Sequence, residues 1–395
     1  GEVNMYQVVT TNEVSGWFYR KYIEFEEEKA KEVENPEIVK IHAERKDTLG
    51  GGDGGSLDYS TYTKVSFETN KMPDNVYALY LNGGSNVIGD IDSYIAYAKE
   101  TKINAFVVDI KECGAITYPA EIMKEISPTS YSKAINTYDV FKDAMKKVKD
   151  ADIYLIGRIV TFKDTYYIQD NQDKSISNRQ GNPLLHQSSY WPSAFNRDVW
   201  EYNIELAKEA VRDFGFNEIQ FDYVRFPDGM YSYERNGTVD YKNVYNETKA
   251  QAIQRFLMYA VEELHQLNVY VSADVFGESS SGYVPAYGQY WPAISNVVDA
   301  ISAMPYTDHF DRNNSSYWTN PYSTMKNWGA TAKARQEETP SPAKARTWIT
   351  AYNTPYWNPT VVYDGEKLDG GYMTWNSGSS LSKYKSQKSA FTRDY

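Results

Sequence analysis

Glu218-Ile-Gln-Phe-Asp-Tyr-Val-Arg-Phe-Pro227 is the stretch whose reading decides the fold. It is a short apolar run with Asp222 near its C-terminal end and Arg225 and Pro227 just beyond. A buried strand has little reason to hold an ionisable group, because an unpaired carboxylate taken out of water costs several kcal/mol. Asp222 therefore has two readings. It is half of a structural ion pair with Arg225, or a reactive group at the C-terminal mouth of a (β/α)8 barrel, where such enzymes gather their active sites.

Working outward, similar β-rich runs recur at 76–82, 105–111, 153–160, 218–224, 269–276, 300–306, 347–352 and 372–376. Helical patterns fall between them near 89–101, 137–149, 197–214, 247–267, 289–297 and 321–337. Strands alternating with helices predict parallel βαβ units. Eight such strands predict an α/β chain closed into a (β/α)8 TIM barrel. An open doubly wound sheet is the competing architecture, but no phosphate-binding glycine turn follows the first strand. The loop at 161–195 is long and aromatic, which suits a substrate-binding excursion. Between 352 and 372 no convincing helix appears, so the seventh crossover is expected to be abbreviated.

The expected domains are a barrel at 73–383, an N-terminal extension at 1–72 and a short tail at 384–395. Within the extension, 19–45 is charged and helix-favouring, and the Gly-rich run 49–56 reads by composition as a flexible linker. Residues 57–73 read as an extended lead-in. Gly50, Gly52 and Gly55 match a dinucleotide-fingerprint spacing, yet neither the strand nor the helix that motif needs flanks them.

Bulk composition excludes several classes. The 395 residues are 41% hydrophobic and 24% charged, as in globular proteins. A net charge of −12 argues against nucleic acid, which demands a basic footprint, and is compatible with a neutral or cationic substrate. No apolar run reaches transmembrane length. The chain opens at Gly1 without a charged-then-apolar leader, as expected of a processed product. Cys113 is the single cysteine, so there is no disulfide framework and no zinc-cysteine cluster. With only His42, His186, His265 and His309 besides, no transition-metal site and no cofactor are expected. The 36 Tyr and 9 Trp stand out. Rings with a polar edge stack on sugar C–H faces while the polar tip meets hydroxyls.

In a strand, alternate residues face opposite sides. Gln220 and Asp222 share one face of the fourth strand, and Ser272 and Asp274 one face of the fifth. If these faces look inward, Asp222 and Asp274 meet at the rim, with Asp109, Arg158 and the Tyr306–His309 run around them. Two carboxylates across a cleft are what glycoside hydrolysis requires, one protonating the departing oxygen and the other attacking the anomeric carbon or activating water. Arg225 or Arg158 would keep one carboxylate charged, and the other would be raised by it and by Phe221, Tyr223 and Phe276. Asp222 is taken as nucleophile or charge stabiliser and Asp274 as acid, with Glu278 and Glu112 as rival acids. Trp191, Trp291, Trp357 and Trp375 lie in or near βα loops, where stacking on a sugar is one reading and, for any single one of them, loop packing is the first. Trp200 and Trp328 are expected in the core. No His-Glu-x-x-His, P-loop or Gly-x-Ser-x-Gly motif is present.

Four segments together resemble a bacterial glycosyl hydrolase family, long catalogued as a domain of unknown function and related to amylase-type barrels. They are Gly157-Arg-Ile-Val-Thr-Phe-Lys-Asp164, Phe221-Asp-Tyr-Val-Arg-Phe-Pro227, Ser272-Ala-Asp-Val-Phe-Gly277 and Met304-Pro-Tyr-Thr-Asp-His-Phe310. Gly371-Tyr-Met-Thr-Trp-Asn376 fits the family's last strand, so the resemblance runs over roughly 76–376. It implies a (β/α)8 barrel acting on glycosidic bonds, outside the cell or at its surface, with Asp222 as nucleophile. The departures are Asp274 where such barrels usually carry a Glu on strand five, and Thr307-Asp308 where Pro-Ser would precede His309. The competing expectation is a carbohydrate-binding barrel, associated with the cell envelope, that has lost its chemistry.

Overall fold

The computed structural model of the chain describes residues 5–9, 15–19, 41–45, 50–306, 321–350 and 370–386. Eight strands form the barrel: β1 (Val76–Leu81), β2 (Ala105–Glu112), β3 (Tyr154–Val160), β4 (Glu218–Asp222), β5 (Tyr270–Phe276), β6 (Ala300–Met304), β7 (Lys344–Thr350) and β8 (Gly371–Trp375). Neighbours pair in parallel, and β1 pairs with both β2 and β8, so the sheet closes on itself. The helices that cover it are α1 (Ile91–Lys99), α2 (Tyr138–Asp150), α3 (Arg197–Phe214), α4 (Lys249–His265), α5 (Trp291–Val297) and α6 (Pro321–Glu337). The expected (β/α)8 barrel is the observed fold, with strand ends shifted by up to three residues. The seventh crossover, 351–369, lies outside the described residues.

Both faces of each strand are covered, which is why the strands read as near-continuous apolar runs. Outward side chains such as Phe106, Val108, Leu155, Ile219 and Phe221 pack under the helices. Inward ones at the lower end, Val76, Ala78, Ala105, Val107, Tyr154, Ile156 and Tyr270, form a separate inner cluster. Helix ends are set locally. Thr248 and Gln251 form a capping box at the start of α4, and Gly215 ends α3 in the left-handed region at φ 68°. The closing seam also depends on a glycine. Gly371, at φ 94°, lies opposite Val76, and a Cβ there would stand 2.2 Å from the Val76 carbonyl oxygen.

The lead-in at 57–73 closes the lower end of the barrel. Val65, Phe67 and Met72 pack against the inner cluster, and Phe67 lies 4.9 Å from the ring of Tyr270. Lys64 Nζ donates to the carbonyl oxygens of Ser295, Asn296 and Val298 at 3.1, 2.9 and 2.7 Å, capping the C-terminal end of α5 with a cation.

The Gly-rich run is not the flexible linker its composition suggests. Over 50–56 it is a packed turn, with the Gly51 carbonyl accepting from Ala250 N at 3.0 Å and Gly54–Ser56 forming a short 3-10 turn capped by Asp53. Its glycines are there for close approach: a Cβ on Gly54 would stand 2.6 Å from the His42 carbonyl oxygen. His42 stacks on Tyr59 at 4.1 Å, and its Nδ1 hydrogen-bonds the Tyr290 hydroxyl at 2.8 Å. Arg45 pairs with Glu338, its Nη2 donating to Oε1 at 2.8 Å. Of the helix-favouring stretch at 19–45, only 41–43 is helical among the described residues, and Tyr19 ends a hairpin strand paired with Met5–Val9. No helix among the described residues is long and apolar enough to cross a membrane.

A packed turn and a tether respond oppositely to added side chains. Gly54→Ala is expected to destabilise the protein by about 1–3 kcal/mol through overpacking against His42. In a tether the same change is neutral or stabilising by about 0.4–1 kcal/mol. The denaturant midpoint of the variant decides the sign.

Candidate active site

The inward faces of the barrel carry two polar tiers. In the lower one, Arg346 on β7 meets Glu218 on β4 through two hydrogen bonds, Nη1 to Oε1 at 2.7 Å and Nη2 to Oε2 at 3.0 Å. Ser272 Oγ and the Tyr154 hydroxyl complete that carboxylate at 2.5 and 3.0 Å. All four groups are buried, so the pair is fixed by geometry and by its filled acceptors.

The upper tier is organised by Arg158 at the C-terminal half of β3. Its Nη1 donates to Asp109 Oδ1 at 2.7 Å and to Glu112 Oε2 at 2.6 Å. Its Nε and Nη2 both donate to Asp222 Oδ2, at 3.0 and 2.7 Å. One guanidinium therefore ties together acids from β2 and β4, the strands on either side. The other oxygen of Asp109 accepts from the Tyr80 hydroxyl at 2.5 Å. A bulge in β2 between Asp109 and Lys111 lets Asp109 face inward while Lys111 turns out to a buried pair with Asp164.

Asp274 sits beside this cluster on β5. The β4–β5 register runs through Phe221↔Ala273, which brings Asp222 and Asp274 next to each other at the strand ends. Their Cα atoms are then one interstrand spacing, about 4.8 Å, apart. Trp348 on β7 donates its Nε1–H to Asp274 Oδ1 at 2.8 Å, and Asp274 Oδ2 is buried without a hydrogen-bond partner. Burial, reinforced by the charge of Asp222, pushes the Asp274 carboxyl well above the usual range, against the opposing pull of Trp348 and Arg158. Asp109 is also raised, to about 6, by burial, with Arg158 opposing and Glu112 adding to the rise. Burial pushes Glu112 the same way, but Arg158 and a hydrogen bond from the Cys113 thiol outweigh it and hold this carboxyl below its ordinary value.

The backbone turns sharply after two of these acids. Tyr223, following Asp222, takes φ 49°, and Cys113, following Glu112, takes φ 43°. Non-glycine residues adopt that region at a cost of order 1–3 kcal/mol and persist where the surroundings enforce it. Tyr223 N donates to Asp222 Oδ1 at 2.6 Å, so both oxygens of this carboxylate are engaged.

The structure brings Asp109, Arg158, Asp222 and Asp274 together as the alternation of the strands predicts. Arg225 is not the partner of Asp222. Its guanidinium lies 4.3 Å from the centre of the Phe276 ring and reaches Asp228 Oδ1 at 3.3 Å. Glu278 is exposed on the rim, where Tyr283 and Tyr287 donate to its two oxygens at 2.5 and 3.0 Å. Tyr306 and Trp375 stack at the ends of β6 and β8, 5.7 Å apart and 26° from parallel, both half-buried. Two expected sugar-stacking tryptophans have no free face. Trp191 is buried and donates to the His186 carbonyl at 3.1 Å, and Trp291 is buried against Trp328, donating to Gln336 Oε1 at 2.8 Å. Trp200 and Trp328 are core residues, as expected. His309 and Trp357 lie outside the described residues. Tyr80, Trp348, Glu218 and Arg346 complete the two tiers without a motif to mark them, although strand alternation links Glu218 to Asp222, four residues on, and Arg346 to Trp348, two residues on.

Residues 78–371 match the model of a family described as "Putative glycosyl hydrolase domain". Among solved structures, the chain is similar to the PgaB (BpsB) glycoside hydrolase domain from Bordetella bronchiseptica, with a TM-score of 0.52 and 12% identity over 82% of this chain and 100% of that one. It is also similar to a glycoside hydrolase family 20 β-N-acetylglucosaminidase, with a TM-score of 0.50 and 10% identity over 80% of this chain and 67% of that one. A hypothetical protein from Ruminiclostridium thermocellum ATCC 27405 is 33% identical over 50% of this chain and 97% of its own, with a TM-score of 0.42. No curated protein matches the chain.

The upward push on the Asp274 carboxyl has a measurable signature. Its folded value lies above its unfolded one, so its contribution to stability is complete below about pH 4 and is lost as pH rises towards the folded value. Asp274→Asn removes that loss. The variant is expected to gain on the unaltered protein above pH 4, by on the order of 1.4 kcal/mol per pH unit while only the unfolded form is charged. Denaturant titrations of both proteins between pH 4 and 8 measure it, and a pH-independent difference would show that Asp274 is ionised in the fold.

Proposed function

This chain belongs to the glycosyl hydrolase domain family whose model covers 78–371, and on that premise we propose that it cleaves glycosidic bonds with Asp222 and Asp274. The observation that carries the reading is the division of labour between two adjacent carboxyls. Asp222 receives two charge-assisted hydrogen bonds from Arg158. Asp274 is pushed up by burial and by Asp222, and keeps one oxygen without a partner. A protonated Asp274 has a donor in want of an acceptor, and the glycosidic oxygen of a substrate is such an acceptor.

In this mechanism an oxygen of Asp222 attacks the anomeric carbon while Asp274 gives its proton to the departing oxygen. The C–O bond breaks and a glycosyl ester of Asp222 forms. Water then attacks the anomeric carbon, Asp274 takes its proton, and ester cleavage restores both carboxyls. Inward side chains leaving adjacent strands at neighbouring positions carry their carboxyls at about the interstrand spacing, which suits the roughly 5 Å carboxyl separation of retaining enzymes better than the wider gap of inverting ones. The excess of acids around Arg158 favours the positive charge that develops on the sugar ring in the transition state. Tyr306 and Trp375 supply an aromatic surface at the mouth for a sugar of an oligo- or polysaccharide.

One observation favours a non-catalytic sugar-binding barrel instead: Asp222 is 5% and Asp274 1% exposed, leaving a sugar ring little direct access to either. A hydrolysis screen over a glycan library separates the readings. Asp222→Asn and Asp274→Asn are each expected to lower turnover by at least about 100-fold while sparing glycan binding. The product anomer, followed by NMR, is expected to retain configuration. Binding without hydrolysis by the unaltered protein on every glycan would leave the non-catalytic barrel standing.

A further inference from the structure

The outer rim beside Asp222 carries two cations that lie against the same aromatic rings, and of the two only Arg225 also meets a carboxylate, Asp228. Lys163 Nζ stands 5.0 Å from the ring centre of Tyr223 and 5.9 Å from that of Trp191. The Arg225 guanidinium stands 4.9 Å from Tyr223 and 5.2 Å from Trp191, and rests on Phe276. The same two rings thus position both cations, and Tyr223 is the residue that directly follows Asp222. An aromatic face attracts a cation through its quadrupole and orients it, but brings no counter-charge.

The carboxylates nearby are committed elsewhere. Glu112, the acid that feels Lys163, is occupied by Arg158 and the Cys113 thiol. Asp228, at 3.3 Å from Arg225, also accepts from Gln187 Nε2 at 3.0 Å and is itself partly exposed. Among the described residues, Lys163 has no carboxylate within 4.0 Å. Arg225 is 4% exposed and is held further by donating to the Phe226 carbonyl oxygen at 3.0 Å, whereas Lys163 is half-buried. A planar fork beside a point-charge ammonium is a suitable pair for an oxyanion. In a chain of net charge −12, an ammonium with no close carboxylate, beside a guanidinium whose one carboxylate is shared with Gln187 and partly exposed, is not there for general attraction.

Building on the hydrolase reading, we propose that Lys163 and Arg225 form a subsite for an anionic group on the glycan. The substrate is then an acidic glycan with a carboxylate, sulfate or phosphate on a sugar next to the cleaved bond. That group sits to the side, over Tyr223, because the acids around Arg158 would repel it from directly above Asp222 and Asp274.

The test measures binding to the Asp222→Asn protein, so that turnover does not intervene, on an array of uronate-bearing, sulfated and phosphorylated oligosaccharides with their uncharged counterparts. At least tenfold tighter binding of one charged class over its uncharged counterpart is expected, and the class that binds identifies the oxyanion. Lys163→Met, and separately Arg225→Gln, are expected to abolish that preference while leaving affinity for the uncharged glycans within twofold. Equal affinity for charged and uncharged forms, no binding of any acidic glycan, or a preference untouched by Lys163→Met overturns the subsite. Hydrolysis confined to neutral glycans sinks the subsite and leaves the hydrolase reading. Retained preference for acidic glycans with no hydrolysis of any of them by the unaltered protein does the reverse.

Discussion

Everything at the mouth of this barrel depends on the guanidinium of Arg158. Three acids from two strands point into a space where each alone would be costly to ionise, and one planar cation on the strand between them serves all three. Arginine suits this place because its fork donates in several in-plane directions at once, whereas an ammonium is a compact point charge. The arrangement also separates the chemistry of the acids. Arg158 spends its hydrogen bonds on Asp109, Glu112 and Asp222, and Asp274 is left with a single indole N–H. The contrast between a fully bonded carboxylate and a half-bonded neighbour follows from where the one cation stands.

Below that tier, Glu218 and Arg346 repeat the device in a drier setting, with every oxygen of the carboxylate filled. This lower pair is structural in character. It joins β4 to β7 across the interior and leaves no acceptor for a ligand. The barrel axis therefore changes character with height, apolar at the sealed foot, ion-paired in the middle and lined by acids at the rim.

The fold was legible because parallel strands covered on both faces leave long apolar runs, and helices between them carry their own caps. The inward-facing acids were legible for the related reason that alternation puts Gln220 and Asp222, or Ser272 and Asp274, on one side. What alternation does not convey is which neighbour an acid meets. Arg225, three residues from Asp222 in sequence, and Arg158 were both open as its partner; the left-handed turn at Tyr223 separates Arg225 from it, and Arg158 from the adjacent strand takes the place. Continuing the same alternation back from Asp222 reaches Glu218, and from Trp348 reaches Arg346, so the lower tier was written in the pattern although a charge at the foot of a strand reads as a solvated end. Tryptophans near loops do not announce their exposure, and Trp191 and Trp291 are packing residues. Glycines speak for flexibility or for close contact with equal force, and only the Cβ distances at 50–56 decide between them.

The seam between β1 and β8 bears on how the chain is made. The first strand waits for a partner at 371–375, separated from it by nearly the whole barrel sequence, and Gly371 is the residue that lets the two backbones meet. During synthesis from the N-terminus, the growing sheet keeps two unpaired edges until the last strand leaves the ribosome, which makes cylinder closure a late and slow step with its edges open to wrong partners. A side chain at 371 would then act on the yield of folded protein before it acted on anything the finished molecule does.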